Sequence, residues 1–379
     1  MSEVRVNNLS NENNTSGPTI SGITTYSGRH FFVPPQGDTA SRPSDCEPGS
    51  LRFNTDSAHL EYFRGNTIGW VEIEAELTAP LGGGTVSNIG LGYRGFFLGG
   101  INGGASDIID QITISTLGDA QDFGNLTDQR FIGGGGASST RAVCMGGGTP
   151  TRLNIIDFFT MASLGNASDF GDTTTARAEG AGLSNSIRAI YAGGSGPSTP
   201  SGENTIDFIT IASTGNAVDF GDETVSSAVE KQGALASTTR GIIAGGNGLG
   251  ERISFLTIMT TGNTQDFGDL TGSVTANSGG GNATRGLIAQ GYNSNTIDFI
   301  TIATTGNAQD FGDQLQSVYS HASCSSPTRM ATGGGYNGSS NNNIIDFVEI
   351  ATTGNSKDFG DLSLARRSIG GTSNGHGGL

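Results

Sequence analysis

Short apolar runs rich in Ile, Phe and Thr alternate with clusters of Gly, Asn and Ser along most of the chain, and no run has a helical period. The runs recur in a fixed order. An Arg-led run ending in a Gly pair, as in RGIIAGG (240–246), is followed by a β-branched run carrying an aromatic, as in NTIDFITIA (204–212). The turn STGN then leads into a third run, AVDFGD (217–222), where Gly-Asn suits a tight hairpin. A fourth, weaker run lies before the next Arg, as within LTDQRFIGGGGASST (126–140). Each copy therefore predicts four short strands.

Repetition sets the scale. The opening Arg falls at Arg94, Arg141, Arg188, Arg240, Arg285 and Arg329, at intervals of 47, 47, 52, 45 and 44 residues. The second run carries Asp110, Asp157, Asp207, Asp298 and Asp346, with Ser254 in the fourth copy. The Asp of DFG follows 12 residues later every time, at Asp122, Asp169, Asp219, Asp266, Asp310 and Asp358. Four strands in a period of this length, repeated six times, predict the blades of a β-propeller.

In phase the copies resemble the kelch repeat, in which a strand ending in Gly-Gly is followed by a variable loop and two strands carrying aromatics. Here the aromatics are Phe158, Phe208, Phe255, Phe299 and Phe347 in the second run, and Phe123, Phe170, Phe220, Phe267, Phe311 and Phe359 in the third. The first copy departs with Gln111 and the fifth with Gln290 in place of a Gly. The expectation is an all-β chain: a six-bladed kelch-like propeller over 91–379, closed by the tail LSLARRSIGG (362–371). A linker or partial strand is expected over 77–90.

Composition narrows the chemistry. Gly is 63 of 379 residues, as many tight turns require, and the net charge of −16 argues against a phosphate-binding surface. Cys46, Cys144 and Cys324 form neither a disulfide framework nor a zinc pattern and read as small core residues. His30, His59, His321 and His376 show no metal spacing and no triad, so surface or turn placement is expected. The DFG tripeptide lacks the catalytic loop, Lys-bearing strand and helix that a kinase needs. The GGGG at 133–136 opens no helix, so it is no dinucleotide loop. No cofactor, metal or catalytic residue is expected.

A residue repeated six times is more simply structural than catalytic. The six Arg and six DFG Asp are expected to form hydrogen-bonded pairs tying strands or blades, since the guanidinium fork matches carboxylates. Calcium held by DFGD is an alternative, without the alternating Asp pattern of a dedicated loop. The copies differ most between the opening Arg and the Asp of the second run, where spacings are 16, 16, 19, 14, 13 and 17 (to Ser254 in the fourth copy). The intervening loops, INGGASD, GTPTRLN, SGPSTPSGE, NGLGER, YNSN and YNGSSNNN, would gather on one face. Asn102, Arg152, Asn247, Tyr292, Asn293, Tyr336 and Asn337 are the candidate binding residues there, suited to carbohydrate or polar protein targets. Loop drift without function is the competing reading.

The N-terminal part has fewer Gly and more Pro. GSLRFNTDSAHLEYFRGNTIGWVEIE (49–74) predicts a three-stranded meander too small to be stable alone. Gly49, Leu51, Arg52, Phe53, Asn54, Thr55, Leu60, Glu61, Tyr62, Trp70 and Ile73 resemble a module frequent in tailed-phage virion proteins. The repeats, of the form TIDFITIATTGNAQDFGDL, look like those of structural and fibre proteins of cyanophages and related phages. The resemblance implies a non-enzymatic virion part: an extended arm over 1–48, an attachment module over 49–76, and a propeller that binds host-surface glycan or other virion proteins. Leu51, Phe53, Tyr62 and Trp70 would anchor it, the chain would be made in the host cytoplasm, and oligomerisation, as a trimer, would fit. No nucleic-acid partner and no membrane insertion are expected. A purely structural decoration, or a polysaccharide-degrading enzyme, are the other readings.

Overall fold

The computed structural model describes residues 34–73 except 58, and 93–378 except 132, 200–201 and 225–228. The expected linker and most of the arm lie outside the described residues. The chain divides into two units, Met1–Glu76 and Leu77–Leu379. Among the described residues there is no α-helix; the fold is all-β and propeller-like.

In the smaller unit, Leu51–Asn54, His59–Phe63 and Trp70–Ile73 form the antiparallel meander. A two-residue strand, Gln36–Gly37, adds in parallel beside Leu51–Asn54. Residues expected to be an extended arm therefore belong to the module. Arg42 binds Glu61 at 2.6 Å and the Trp70 indole donates to the Pro43 carbonyl at 3.0 Å.

The larger unit contains six four-stranded sheets. Sheet 1 comprises Gly370–Ser373, Arg94–Asn102, Gly104–Thr113 and Gln121–Asn125, so the C-terminal strand completes the sheet that the first copy begins. Sheets 3 to 6 each take four consecutive strands, and sheet 2 differs only by a small hairpin, Gly148–Thr149 with Thr151–Arg152, between its second and third. The first strands of sheets 2 to 6 are Gly134–Ala137, Ala181–Ser184, Gly233–Ala236, Ser278–Gly281 and Ala322–Ser325. These first strands, the weak runs of the sequence, neighbour one another in order, and Gly370–Ser373 returns to Gly134–Ala137. Their small residues permit the approach: a Cβ on Gly182 would lie 2.5 Å from the Gly135 backbone. In the first copy INGGASD is no loop; both strands run through it to a tip at Gly103.

Packing follows the same cyclic order. Each core cluster joins two successive sheets; Val143, Met145, Ile156 and Phe170 of sheet 2, for example, pack on Ala189, Tyr191, Ile209 and Ile211 of sheet 3. Phe97, Ile112 and Ile114 of sheet 1 share a cluster with Ala331, Ile345 and Phe359 of sheet 6. A β-bulge sits beside the second-run Asp in every sheet, and Ser254 takes that place in sheet 4. It lets the DFG Phe turn into the core beside the Phe of the second run, as Phe208 and Phe220 do at 5.9 Å edge to face.

Candidate functional site

The repeated residues join one sheet to the next. The opening Arg does not pair with a DFG Asp. In sheets 2 to 6 its guanidinium lies over the Phe of its own sheet, 4.3 Å from the ring centre for Arg188 over Phe208, and in all six it donates to a carbonyl of the next sheet. Arg141 reaches Ile211 at 2.8 Å, Arg240 reaches Ile302 at 2.8 Å and Arg285 reaches Ile350 at 2.9 Å. Arg188 reaches Ile258 at 3.2 Å and Arg94 reaches Met161 at 2.5 Å. Arg329 of sheet 6 reaches Ser115 of sheet 1 at 3.1 Å. These arginines therefore meet carbonyls of the next sheet rather than the DFG carboxylates.

The DFG strands serve the same purpose through their backbones. The carbonyls of Phe170 and Asp172 accept from Gly215 and Ala217, in the turn of the next sheet, at 2.8 and 2.7 Å. That turn's Asn216 accepts in return from the Asp172 amide at 3.1 Å. The arrangement recurs between all pairs of successive sheets, with Asp119 replacing Asn where sheet 1 meets sheet 6. Gly171, at φ +147°, has no room for a Cβ, which would lie 2.5 Å from the Gly215 carbonyl oxygen. The DFG Asp side chains, by contrast, are exposed on the outer strands. Among the described residues no three His, Cys, Asp or Glu side chains group as metal ligands would.

A second set of arginines takes the Asp partners. Arg130, Arg177 and Arg366, each eight residues after a DFG Asp, are fully buried. Arg177 pairs with Asp207 of the next sheet at 2.9 Å, Arg366 with Asp110 at 3.1 Å, and Arg130 with Asp157. Thr174 and Ser363 complete the first two carboxylates through hydroxyl and amide. At the other three junctions Val229, Val274 and Val318 stand where these arginines do. Gln232, Asn277 and His321 then precede the first strand, where Gly133, Gly180 and Ile369 stand elsewhere. Gln232 donates to Glu223 at 2.8 Å; burial nevertheless pushes the Glu223 carboxyl up to about 7. His321, expected at the surface, is buried, and burial lowers its pKa to about 4.

The variable loops lie on one face, where they bridge to the connections between sheets: Ala178 with Ser195, Glu230 with Asn247, Tyr319 with Tyr336, and Ile101 with Arg367. A cavity of about 80 Å³ opens among the first strands, lined by Glu179, Lys231, Asn277 and His321. Around it Glu179, Lys231, Ala276, Ser320 and Ser368 adopt positive φ. The amide of each of the last four donates to the carbonyl of the one before, at 2.7, 2.9, 2.9 and 2.7 Å. At the other end of the first strands, the tail after Ser373 crosses between sheets. Gly378 accepts from Ser186 at 3.0 Å, and the half-buried His376 ring lies 3.3 Å from Ser184 Oγ.

The predicted binding residues fall into two sectors of this face. Over sheets 2 to 4 they are tied to neighbours. Arg152 donates to the Ser195 hydroxyl at 2.8 Å and Asn247 to Glu230 at 3.0 Å. Lys231 sits between Glu230 at 3.4 Å and Glu179 at 3.6 Å. Burial pushes the Glu179 carboxyl up despite Lys231; burial opposes ionisation of Glu230 too, but the Asn247 amide and Lys231 hold it below its ordinary range.

Over sheets 5, 6 and 1 an aromatic row forms. Tyr292 meets Tyr319 edge to face at 5.1 Å, and Tyr319 meets Tyr336 at 5.5 Å. Arg367 lies over Tyr336 at 4.4 Å. Tyr319 and Arg367 come from inter-sheet connections, outside the variable loops. Asn293 is exposed at φ +64°, while Asn337 accepts from Ser339 and Ser340 and braces its own turn. Asn102 is exposed beside the Gly103 tip.

In the smaller unit Leu51, Phe53, Leu60, Tyr62 and Val71 share one sheet face, exposed or half-buried. The opposite face buries polar groups, Arg52, Asn54 and Glu61. Trp70 lies on that opposite face against Phe63 at 5.5 Å, apart from the other three predicted anchors. Compared with family models and with curated proteins, the chain matches none.

Proposed function

We propose that the six sheets are blades of a closed six-bladed, kelch-like propeller, and that the protein is a non-enzymatic virion structural protein of a tailed phage, a tail or capsid fibre or appendage. The smaller unit anchors it to other virion proteins and the loop face of the propeller binds a host-surface or virion partner. In this reading the protein needs no cofactor, is made in the host cytoplasm and resides in the particle.

The division of the residues supports this most. The repeated residues join sheet to sheet, whereas the residues that vary from copy to copy gather on one face. Cyclic neighbouring of the first strands and the Arg329–Ser115 bond support the closed disc. A small sheet that buries ion pairs and presents Leu51, Leu60 and Tyr62 outward suits a module that docks on another protein.

The test is immunogold electron microscopy of purified particles with an antibody against the full chain. Gold at the ends of fibres or appendages is expected. Gold spread over the capsid shell favours the decoration reading. Absence of the protein from the particles by mass spectrometry rejects the virion assignment. Release of reducing sugar from envelope polysaccharide by the purified chain would overturn the non-enzymatic reading.

A further inference from the structure

We propose that the Tyr292–Tyr319–Tyr336 row with Arg367 is a binding site for an acidic saccharide, a sugar bearing a carboxylate. The proposal rests on reading the loop face as a binding surface and names its ligand class.

Three tyrosines from three separate chain segments meet here, and nothing in the packing asks for their hydroxyls. Among the described residues none of the three has a hydrogen-bond partner for that group. Tyr191, in the core, shows what a structural tyrosine does: its hydroxyl binds Arg177 O and Gly180 N, both at 3.3 Å. Where the repeat needs only an aromatic ring it uses Phe, in both the second and third runs. Tyr292 is 52 % exposed. Ring faces with hydroxyls at their edges match a pyranose, which offers an apolar face and equatorial hydroxyls.

Arg367 supplies the independent observation. Among the described residues between 93 and 378, every other arginine donates to a carbonyl, a hydroxyl or a carboxylate. Among the described residues the Arg367 side chain has neither an ion pair nor a hydrogen bond, in a chain with 35 acidic residues. With its carbon 4.4 Å from the Tyr336 ring centre, the guanidinium has its N–H groups available for a bidentate carboxylate. The net charge of −16 opposes an acidic ligand at long range. That repulsion is screened beyond roughly 8 Å at physiological ionic strength, while the contact with Arg367 is local.

The experiment is a glycan array probed with the full chain, pairing oligouronates with their neutral methyl esters, followed by calorimetry with a tetra-galacturonate and its ester. Preference for the acid by at least tenfold is expected. Arg367→Gln should remove that preference, and Tyr319→Ala should weaken acid and ester alike by tenfold or more, both at unchanged Tm. Equal binding of acid and ester, or binding untouched by both variants, overturns the proposal. No binding to any saccharide overturns it too. If the chain still adheres to host cells after periodate destroys their surface sugars, the binding-module reading survives and its partner is a protein.

Discussion

Two arcs of the larger unit solve one problem differently. From sheet 6 through sheets 1 and 2 to sheet 3, each junction buries an arginine against the Asp of the next sheet. From sheet 3 through sheets 4 and 5 to sheet 6 the arginine is Val, and the acceptor is either gone or otherwise satisfied. Ser254 replaces Asp in sheet 4; Asp298 takes Thr271 and Gln290, and Asp346 takes Ser356 and the Leu315 amide. What a junction requires is a buried acceptor with matching donors, or neither. The charge itself is dispensable, which argues that the repeated Asp are there for assembly.

The largest expected effect comes from breaking one partner in the charged arc. Arg177→Met leaves Asp207 buried with only Thr174, and by analogy with other broken buried pairs should cost about 3–5 kcal/mol, read by urea unfolding. The corresponding Val274→Ala, in the apolar arc, should cost about 1–2 kcal/mol as a simple cavity.

Next in size is a pH effect in the apolar arc. The folded pKa of Glu223 lies above its unfolded value, so the folded state holds an extra proton between the two. The stability this confers is whole below about pH 4.5 and is lost as pH rises through about 7, a difference of ~3 kcal/mol. Glu223→Gln should flatten stability between pH 5 and 8. His321 has the opposite sign. With its folded pKa depressed from 6.5 to about 4, it weakens the fold as pH falls through that range, and His321→Gln should relieve the acid loss.

Smaller effects belong to the features that both arcs share. Gly171→Ala strains a left-handed position against the next turn and should cost about 1–3 kcal/mol. Arg188→Met keeps contact with Phe208 and loses one bond to Ile258; about 1 kcal/mol is expected by thermal unfolding. If Gly312→Ala and Gly171→Ala differ greatly, the sheet-to-sheet turn contact is not the common device the six copies suggest.

Much of the strand order was legible because period, turn and strand chemistry agreed in every copy. The fixed 12-residue spacing between the two Asp is the length of a hairpin whose turn the previous sheet grips. Arg130, Arg177 and Arg366 were missed because their recurrence covers only half the copies and their partners lie in the next repeat, where spacing carries no signal. The opening Arg misled for a related reason: a guanidinium matches a carboxylate in type, yet here a Phe face and a carbonyl stand closer. Tyr319 and Arg367 lie in connections that look like ordinary linkers, and only the fold brings them beside Tyr292 and Tyr336. The resemblance groups Trp70 with the anchors, but strand alternation sets it on the face opposite Leu51 and Tyr62.

The most direct test of the claim that the buried charges hold sheets together is a double-mutant cycle on Arg177→Met and Asp207→Asn, measured by urea unfolding. The account predicts that the double variant is more stable than Arg177→Met alone, with a coupling of at least ~2 kcal/mol. Additive losses from the two substitutions would contradict it.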